Sequence, residues 1–154
     1  MYKKIMVPLD GSELAGCVLH HAEALTKAFD VGEVFLVRVV EPFSPPYYGG
    51  DAVDAELVAK NEELRRVAAE KYIQETANNF NGNGAAVHPE VLFGRVAESL
   101  ADYAQKHEVD LLIIASHGRS GISRWVMGSV AEKLLRTVNS PILIIRAPGS
   151  QCAT

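Results

Sequence analysis

The chain of 154 residues has few cysteines and no long apolar run, and each shortage excludes a class of protein. Its two cysteines, Cys17 and Cys152, form no C-x-x-C pair, so the sequence predicts no disulfide framework and favours a reducing compartment. The longest apolar run, 111–115, is far too short to span a bilayer. With no visible targeting segment at the N-terminus, we expect a cytoplasmic protein that has no membrane partner.

The sequence also lacks a cluster of positive charge. The formal net charge is -4, and the charged residues, 22% of the chain, are evenly spread. This pattern argues against nucleic acid as the main partner. The length suits one core, so we predict a single domain over residues 1–148 and a short tail over 149–154.

Apolar runs alternate along the chain with patterns of helical period. Regular alternation is typical of parallel strands joined by right-handed crossovers, so the sequence predicts a doubly wound α/β domain. Pro89 interrupts the third strand and indicates an edge position. The predicted strands cover 3–10, 33–40, 85–94, 109–115 and 141–146, and the predicted helices cover 12–29, 53–79, 95–107 and 129–138.

A ligand of such a sheet is expected beyond the carboxyl ends of the strands, where the strand order reverses. If the first and fourth strands are the central neighbours, segments 8–12 and 115–129 converge there. Three glycines of the second segment, Gly118, Gly121 and Gly128, let a ligand approach the backbone. The free N–H groups at the start of the next helix favour a phosphate.

Other interpretations of these residues stay open. Ser129 and Glu132 match the S-x-x-E capping box, which would satisfy the helix start without a ligand. Asp10 could bond a ribose hydroxyl, or it could close an Asx turn. His117 is expected to be solvated rather than catalytic. The segment 118–121 lacks the spacing of a hydrolase nucleophile elbow, and the chain has neither a Walker A loop nor a G-x-G-x-x-G fingerprint.

The glycine-rich segment resembles a known nucleotide-binding signature. "Ala115-Ser-His-Gly118", nine residues and then "Gly128-Ser129" resemble the G-x-x-G, nine residues, G-[S/T] signature of the universal stress protein family. The opening "KKIMVPLDGSE" resembles the first strand and turn of the same family, and "GSVAEKLLRTVNSPILIIR" resembles its C-terminal unit. The resemblance covers nearly the whole chain and is weakest over 41–60.

The resemblance implies a Rossmann-like fold with a five-stranded parallel sheet of order 3-2-1-4-5. It also implies ATP, with a divalent metal such as Mg or Mn, between the ends of the first and fourth strands. Asp10 would lie beside the ribose, and Val39 would contact the adenine. The nucleotide-binding residues implied are Pro8, Leu9, Asp10, Val39, Ile114, Ala115, His117, Gly118, Arg119, Gly121, Gly128, Ser129 and Val130.

The resemblance further implies a homodimer and a regulatory role. The order 3-2-1-4-5 puts strand 141–146 on an edge, where a partner's copy would cover its backbone. The expected function is that of an ATP-binding stress-response regulator with at most slow ATP hydrolysis or autophosphorylation of Ser129. An adenylating enzyme is disfavoured, because "PLDGSE" stands where such enzymes have S-G-G-x-D-S.

The main alternative is a dimeric interaction protein that binds no nucleotide. The capping box favours it, and so does Ala115, where the family signature has glycine. If the backbone needs a positive φ there, or the nucleotide presses on that residue, the methyl group weakens binding. A methyl group forced into a tight contact costs about 1–3 kcal/mol.

Overall fold

A computed structural model of the protein describes residues 1–12, 14–42, 55–116 and 128–146, with the backbone alone for 14–16. Strands and helices alternate in chain order. They are β1 (Lys4–Pro8), α1 (Leu14–Phe29), β2 (Glu33–Val40), α2 (Ala55–Asn79), β3 (Ala86–Phe93), α3 (Val96–Lys106), β4 (Leu111–Ala115), α4 (Ser129–Thr137) and β5 (Ile142–Ile145).

The five strands form one sheet in the order β3-β2-β1-β4-β5, and every neighbouring pair is parallel. This confirms the predicted doubly wound α/β architecture and its strand order. β3, which contains Pro89, lies on one edge, and β5 lies on the other. A proline is tolerated at an edge because its missing N–H interrupts no central ladder.

Helices cover both faces of the sheet. Ile5 and Val7 of β1 pack in the same cluster as Val18 of α1 and Ile73 of α2. Met6 points to the opposite face and joins the cluster that α3 and α4 complete, with Leu100, Tyr103, Ala131 and Leu134. Because successive side chains of a strand enter different cores, the strands are continuous apolar runs, which is why the sequence indicated them.

The two ladders of β1 differ in length. The β1–β2 register runs from Lys4–Glu33 to Pro8–Val37, whereas the β1–β4 register ends at Met6–Leu112. β4 nevertheless continues to Ala115 alongside β5. The carboxyl ends of β1 and β4 therefore separate, and a crevice opens between the two central strands.

Cys17 differs from its expected state. It is buried in α1 and is disulfide-bonded, which contradicts the inference from the two cysteines that the chain has no disulfide framework. Cys152 lies outside the described residues.

Candidate functional site

A cavity of about 380 Å³ occupies the crevice at the carboxyl ends of β1 and β4. Nine of the thirteen predicted site residues line it, and they come from β1, β2, β4 and the start of α4. These nine are Pro8, Leu9, Asp10, Val39, Ile114, Ala115, Gly128, Ser129 and Val130. The other four, His117, Gly118, Arg119 and Gly121, lie outside the described residues.

Asp10 lines the cavity, and one of its carboxylate oxygens accepts a hydrogen bond in the turn after β1. The backbone N–H of Ser12 donates to its Oδ1 at 2.9 Å, which is the predicted Asx turn. Oδ2 is buried and has no hydrogen-bond partner among the described residues. A buried carboxylate oxygen without a partner is costly, so this atom is a ready acceptor for a ligand hydroxyl.

The start of α4 differs from the predicted capping box. Ser129 is the first helical residue, Gly128 is the N-cap, and no described side chain caps the helix. The carboxylate of Glu132 instead accepts a hydrogen bond from Arg136 Nη2 at 2.7 Å. The capping-box interpretation is therefore wrong, because the pattern S-x-x-E also arises when serine stands one position inside the helix. The first-turn residues line the cavity, where their N–H groups can meet an anion.

Ala115 has an ordinary backbone. It is the last residue of β4 and pairs with Ile145 of β5, so it has extended geometry that any residue adopts. Its side chain packs against the core on the α1 face, and the residue also borders the cavity. The condition of a positive φ, under which alanine would disfavour the site, is not met.

Three charged residues that the sequence interpretation missed also line the cavity: Arg38, Glu41 and Arg65. Arg38 Nη1 donates to the carbonyl oxygen of Leu9 at 3.2 Å. Arg38 could have been recognised in the sequence, because it is a charged residue inside the apolar run "EVFLVRVV" and lies close to the carboxyl end of the predicted strand. Arg65 lies on α2 among several exposed charges, and nothing in the sequence distinguishes it.

The remaining lining is an apolar floor with one buried hydroxyl group. An apolar surface of this kind suits the flat face of a heterocyclic ring, while the polar groups at the rim fix its orientation. This floor consists of Val18, Val37, Val96, Leu100, Ser116 and Ala131.

The described parts of the chain contain no group of three or more His, Cys, Asp or Glu side chains that could hold a metal ion. The carboxylates along the cavity are Asp10 and Glu41. A metal ion here would therefore take most of its ligands from a bound molecule or from water. Within the same residues, no helix is both long and apolar enough to cross a membrane.

Comparisons with known proteins agree on one family. Residues 1–146 match the model of the Universal stress protein family. A universal stress protein of Methanocaldococcus jannaschii is 31% identical over 152 residues, which cover 98% of this chain and 86% of that protein.

Solved structures show the same fold at lower identity. A universal stress protein UspA from Lactobacillus plantarum superimposes with a TM-score of 0.79 at 20% identity, over 94% of this chain and 98% of that one. A universal stress protein from Archaeoglobus fulgidus in complex with dAMP gives a TM-score of 0.57 at 20% identity, over 94% of this chain and 98% of that one.

Proposed function

Since the chain belongs to the universal stress protein family, we propose that its cavity binds an adenine nucleotide, ATP, and that the protein acts as a regulator in a stress response. One observation carries the proposal: the described part of the predicted site surrounds a single cavity that has an unpartnered carboxylate oxygen at one side and a helix start at the other. The volume of about 380 Å³ falls within the range of small-molecule sites. The dAMP bound to the Archaeoglobus relative supports the ligand class.

We assign each part of the nucleotide to the group that suits it chemically. The phosphates go to the start of α4, where Gly128, Ser129 and Val130 offer N–H groups and the positive end of the helix dipole. A ribose hydroxyl donates to Asp10 Oδ2. The adenine lies against the apolar floor beside Val39.

A divalent metal ion, Mg²⁺ or Mn²⁺, fits this arrangement as a partner of the phosphates. Mg²⁺ usually keeps several waters and binds through one or two carboxylates plus substrate phosphates. Asp10 and Glu41 are the carboxylates that could contribute. The ion would neutralise phosphate charge, and we assign the chain itself no step of hydrolysis beyond a slow one. Ser129, exposed at the cavity, is the candidate acceptor for autophosphorylation.

The alternative of an interaction protein without a nucleotide has lost most of its support. One support was a capping box, which Gly128 and Ser129 do not form. The other was Ala115, whose regular strand backbone removes the positive-φ argument and leaves only a possible contact of its methyl group with the nucleotide. We therefore favour the nucleotide-binding function. We also propose a cytoplasmic homodimer that pairs through β5, because β5 is an edge strand whose apolar residues Ile142, Leu143 and Ile144 are only half-buried.

A titration with ATP tests the proposal. The chain has one tryptophan, Trp125, between Ser116 and Gly128, so its fluorescence reports on that part of the site. We expect a saturable change in fluorescence and a rise in melting temperature, both larger with Mg²⁺ than without. If ATP alters neither signal, with or without Mg²⁺, the nucleotide-binding function is wrong. Native mass spectrometry of the freshly purified protein would report bound nucleotide and oligomeric state together.

A further inference from the structure

A second cavity, of about 280 Å³, adjoins the proposed nucleotide site. Two residues, Arg38 and Arg65, line both cavities and form the boundary between them. The lining of the second cavity comprises Gly11, Arg38, Val40, Arg65, Ala68, Ala69 and Tyr72.

The chemistry of this lining suits an anion. Its polar side chains are two guanidinium groups and one phenol, and among the described residues it contains no carboxylate. Burial raises the pKa of the Tyr72 phenol, and this effect outweighs the lowering by the Thr76 side chain and by the Arg38 guanidinium. The phenol therefore stays protonated at neutral pH and can donate a hydrogen bond.

Arg38 is held at the boundary by the backbone after β1. Its Nη1 donates to the Leu9 carbonyl oxygen at 3.2 Å. Gly11 adopts a φ of +79°, and a side-chain carbon at that position would lie 3.7 Å from Arg38 Cζ. The guanidinium thus packs beside the turn that Asp10 closes, directly after the carboxylate assigned to the ribose.

Arg65 approaches the boundary from α2, on the other wall. Its neighbour Arg66 pairs with Glu63 and Glu70, at 2.6 Å each, and lines neither cavity. The described lining of the second cavity therefore has two guanidinium groups and no carboxylate, whereas Asp10 and Glu41 line the first cavity. Arginine binds phosphate through parallel N–H donors, which makes a pair of arginines a typical phosphate site.

We propose that the second cavity is a phosphate subsite, and that it accepts a phosphate carried on the 2′ or 3′ oxygen of the ribose of a bound adenine nucleotide. The inference rests on the proposed function, because it takes the ribose to lie at Asp10. We place one ribose hydroxyl next to Asp10 Oδ2. The neighbouring ribose oxygen would then lie on the side of Gly11 and Arg38, which line the second cavity. The ligand class is an adenosine bisphosphate with one phosphate at the start of α4 and one between the two arginines.

Isothermal titration calorimetry of the full chain with AMP, adenosine 2′,5′-bisphosphate and adenosine 3′,5′-bisphosphate tests this subsite. We expect one bisphosphate to bind about tenfold more tightly than AMP, the gain from a hydrogen bond between charged groups. Arg65→Gln should bring that ratio close to one. Arg66→Gln removes the same charge one position along α2 and should leave the ratio as in the wild type.

The same phosphate chemistry could come from a free anion, so a further arm titrates inorganic phosphate into the AMP-saturated protein. Binding of phosphate that Arg65→Gln abolishes and Arg66→Gln retains would support the subsite with a free anion as its source. If AMP binds, the bisphosphates bind no more tightly and phosphate does not bind, the subsite is wrong while the proposed function stands. If neither AMP nor ATP binds, the proposed function itself fails.

Discussion

The backbone N–H of Gly128 donates a hydrogen bond to the carbonyl oxygen of Ser116, with an N···O distance of 2.8 Å. Ser116 is buried directly after β4, and Gly128 directly precedes α4. This bond holds the two ends of segment 117–127 side by side. The end of β4 and the start of α4, which both line the cavity, are therefore held next to each other.

Gly128→Ser should stabilise the protein and weaken nucleotide binding at the same time. A serine at the N-cap bonds the N–H groups of the first turn, which gains a few tenths of a kcal/mol over glycine. The same N–H groups are the proposed phosphate donors, so the serine competes with the ligand. We expect a slightly higher melting temperature and an ATP affinity lowered about tenfold, measured by calorimetry.

Arg95→Ser is the matched control. Arg95 is the N-cap of α3, makes no side-chain capping bond among the described residues and does not line the cavity. Serine there should raise stability without affecting ATP affinity. An unchanged affinity in Gly128→Ser would show that the phosphates do not use the start of α4.

Asp10→Asn should keep the fold and remove selectivity for the ribose. The amide oxygen can still accept the hydrogen bond from the Ser12 N–H, so the Asx turn is retained. The charged acceptor at Oδ2 is lost, and we expect ATP to bind roughly tenfold more weakly. In calorimetry, the wild type should prefer ATP to 2′-deoxy-ATP or 3′-deoxy-ATP, and the variant should not. A wild type that makes no such distinction would exclude Asp10 as the ribose partner.

Ala115→Gly should lower stability and leave affinity nearly unchanged. Glycine in a strand costs about 0.5–1 kcal/mol relative to alanine, and the packing of this methyl group on the α1 face is lost as well. We expect a lower free energy of unfolding in urea and an ATP affinity within about threefold of the wild type. A tenfold gain in affinity would mean that the methyl group presses on the nucleotide.

Stability should fall at alkaline pH through Tyr103. Burial, with a contribution from the nearby Glu90 carboxylate, raises the pKa of this phenol to about 12. An unfolded tyrosine titrates near 10. Below about pH 10 the proton is bound in both states; between about 10 and 12 only the folded state keeps it, so unfolding is increasingly favoured.

The measurement is the free energy of unfolding in urea at a series of pH values, with Tyr103→Phe as the control. The phenylalanine keeps the ring that stacks on His107, at a centroid distance of 4.0 Å, but has no proton to lose. The variant should lose less stability than the wild type over this range. Parallel curves would mean that Tyr103 titrates normally.

Ile144→Pro should convert the proposed dimer to a monomer. The carbonyl oxygens of Pro141 and Ile145 accept hydrogen bonds from the N–H groups of Leu112 and Ser116, so the backbone groups of these two β5-side residues point towards β4. The backbone groups of successive strand residues point to opposite sides, so those of Ile144 point to the free edge of the sheet. Proline removes that N–H without breaking the β4–β5 ladder. Ile144→Ala loses much of the same side chain but keeps the N–H. Sedimentation should give a dimer for the wild type and the alanine variant, and a wild-type monomer would refute pairing through β5.

The sequence predicted the fold well because strands that are buried on both faces of the sheet appear as continuous apolar runs. The predicted strand 33–40 has the bounds of β2, since each of its faces enters a core. The helix start was predicted at Ser129 but its cap was not, because S-x-x-E does not determine whether serine precedes the helix or begins it. Arg65 could not be found from sequence, since its place beside Arg38 depends on how α2 packs on the sheet.

The early end of the β1–β4 ladder at Met6–Leu112 has a mechanical consequence. Beyond that pair, the half of the sheet with β3, β2 and β1 and the half with β4 and β5 meet across the crevice without backbone bonds in the register. A nucleotide bound as we propose, in contact with Asp10 on one side and the start of α4 on the other, would connect the two halves. Binding of such a molecule would then restrict the motion of one half of the sheet relative to the other.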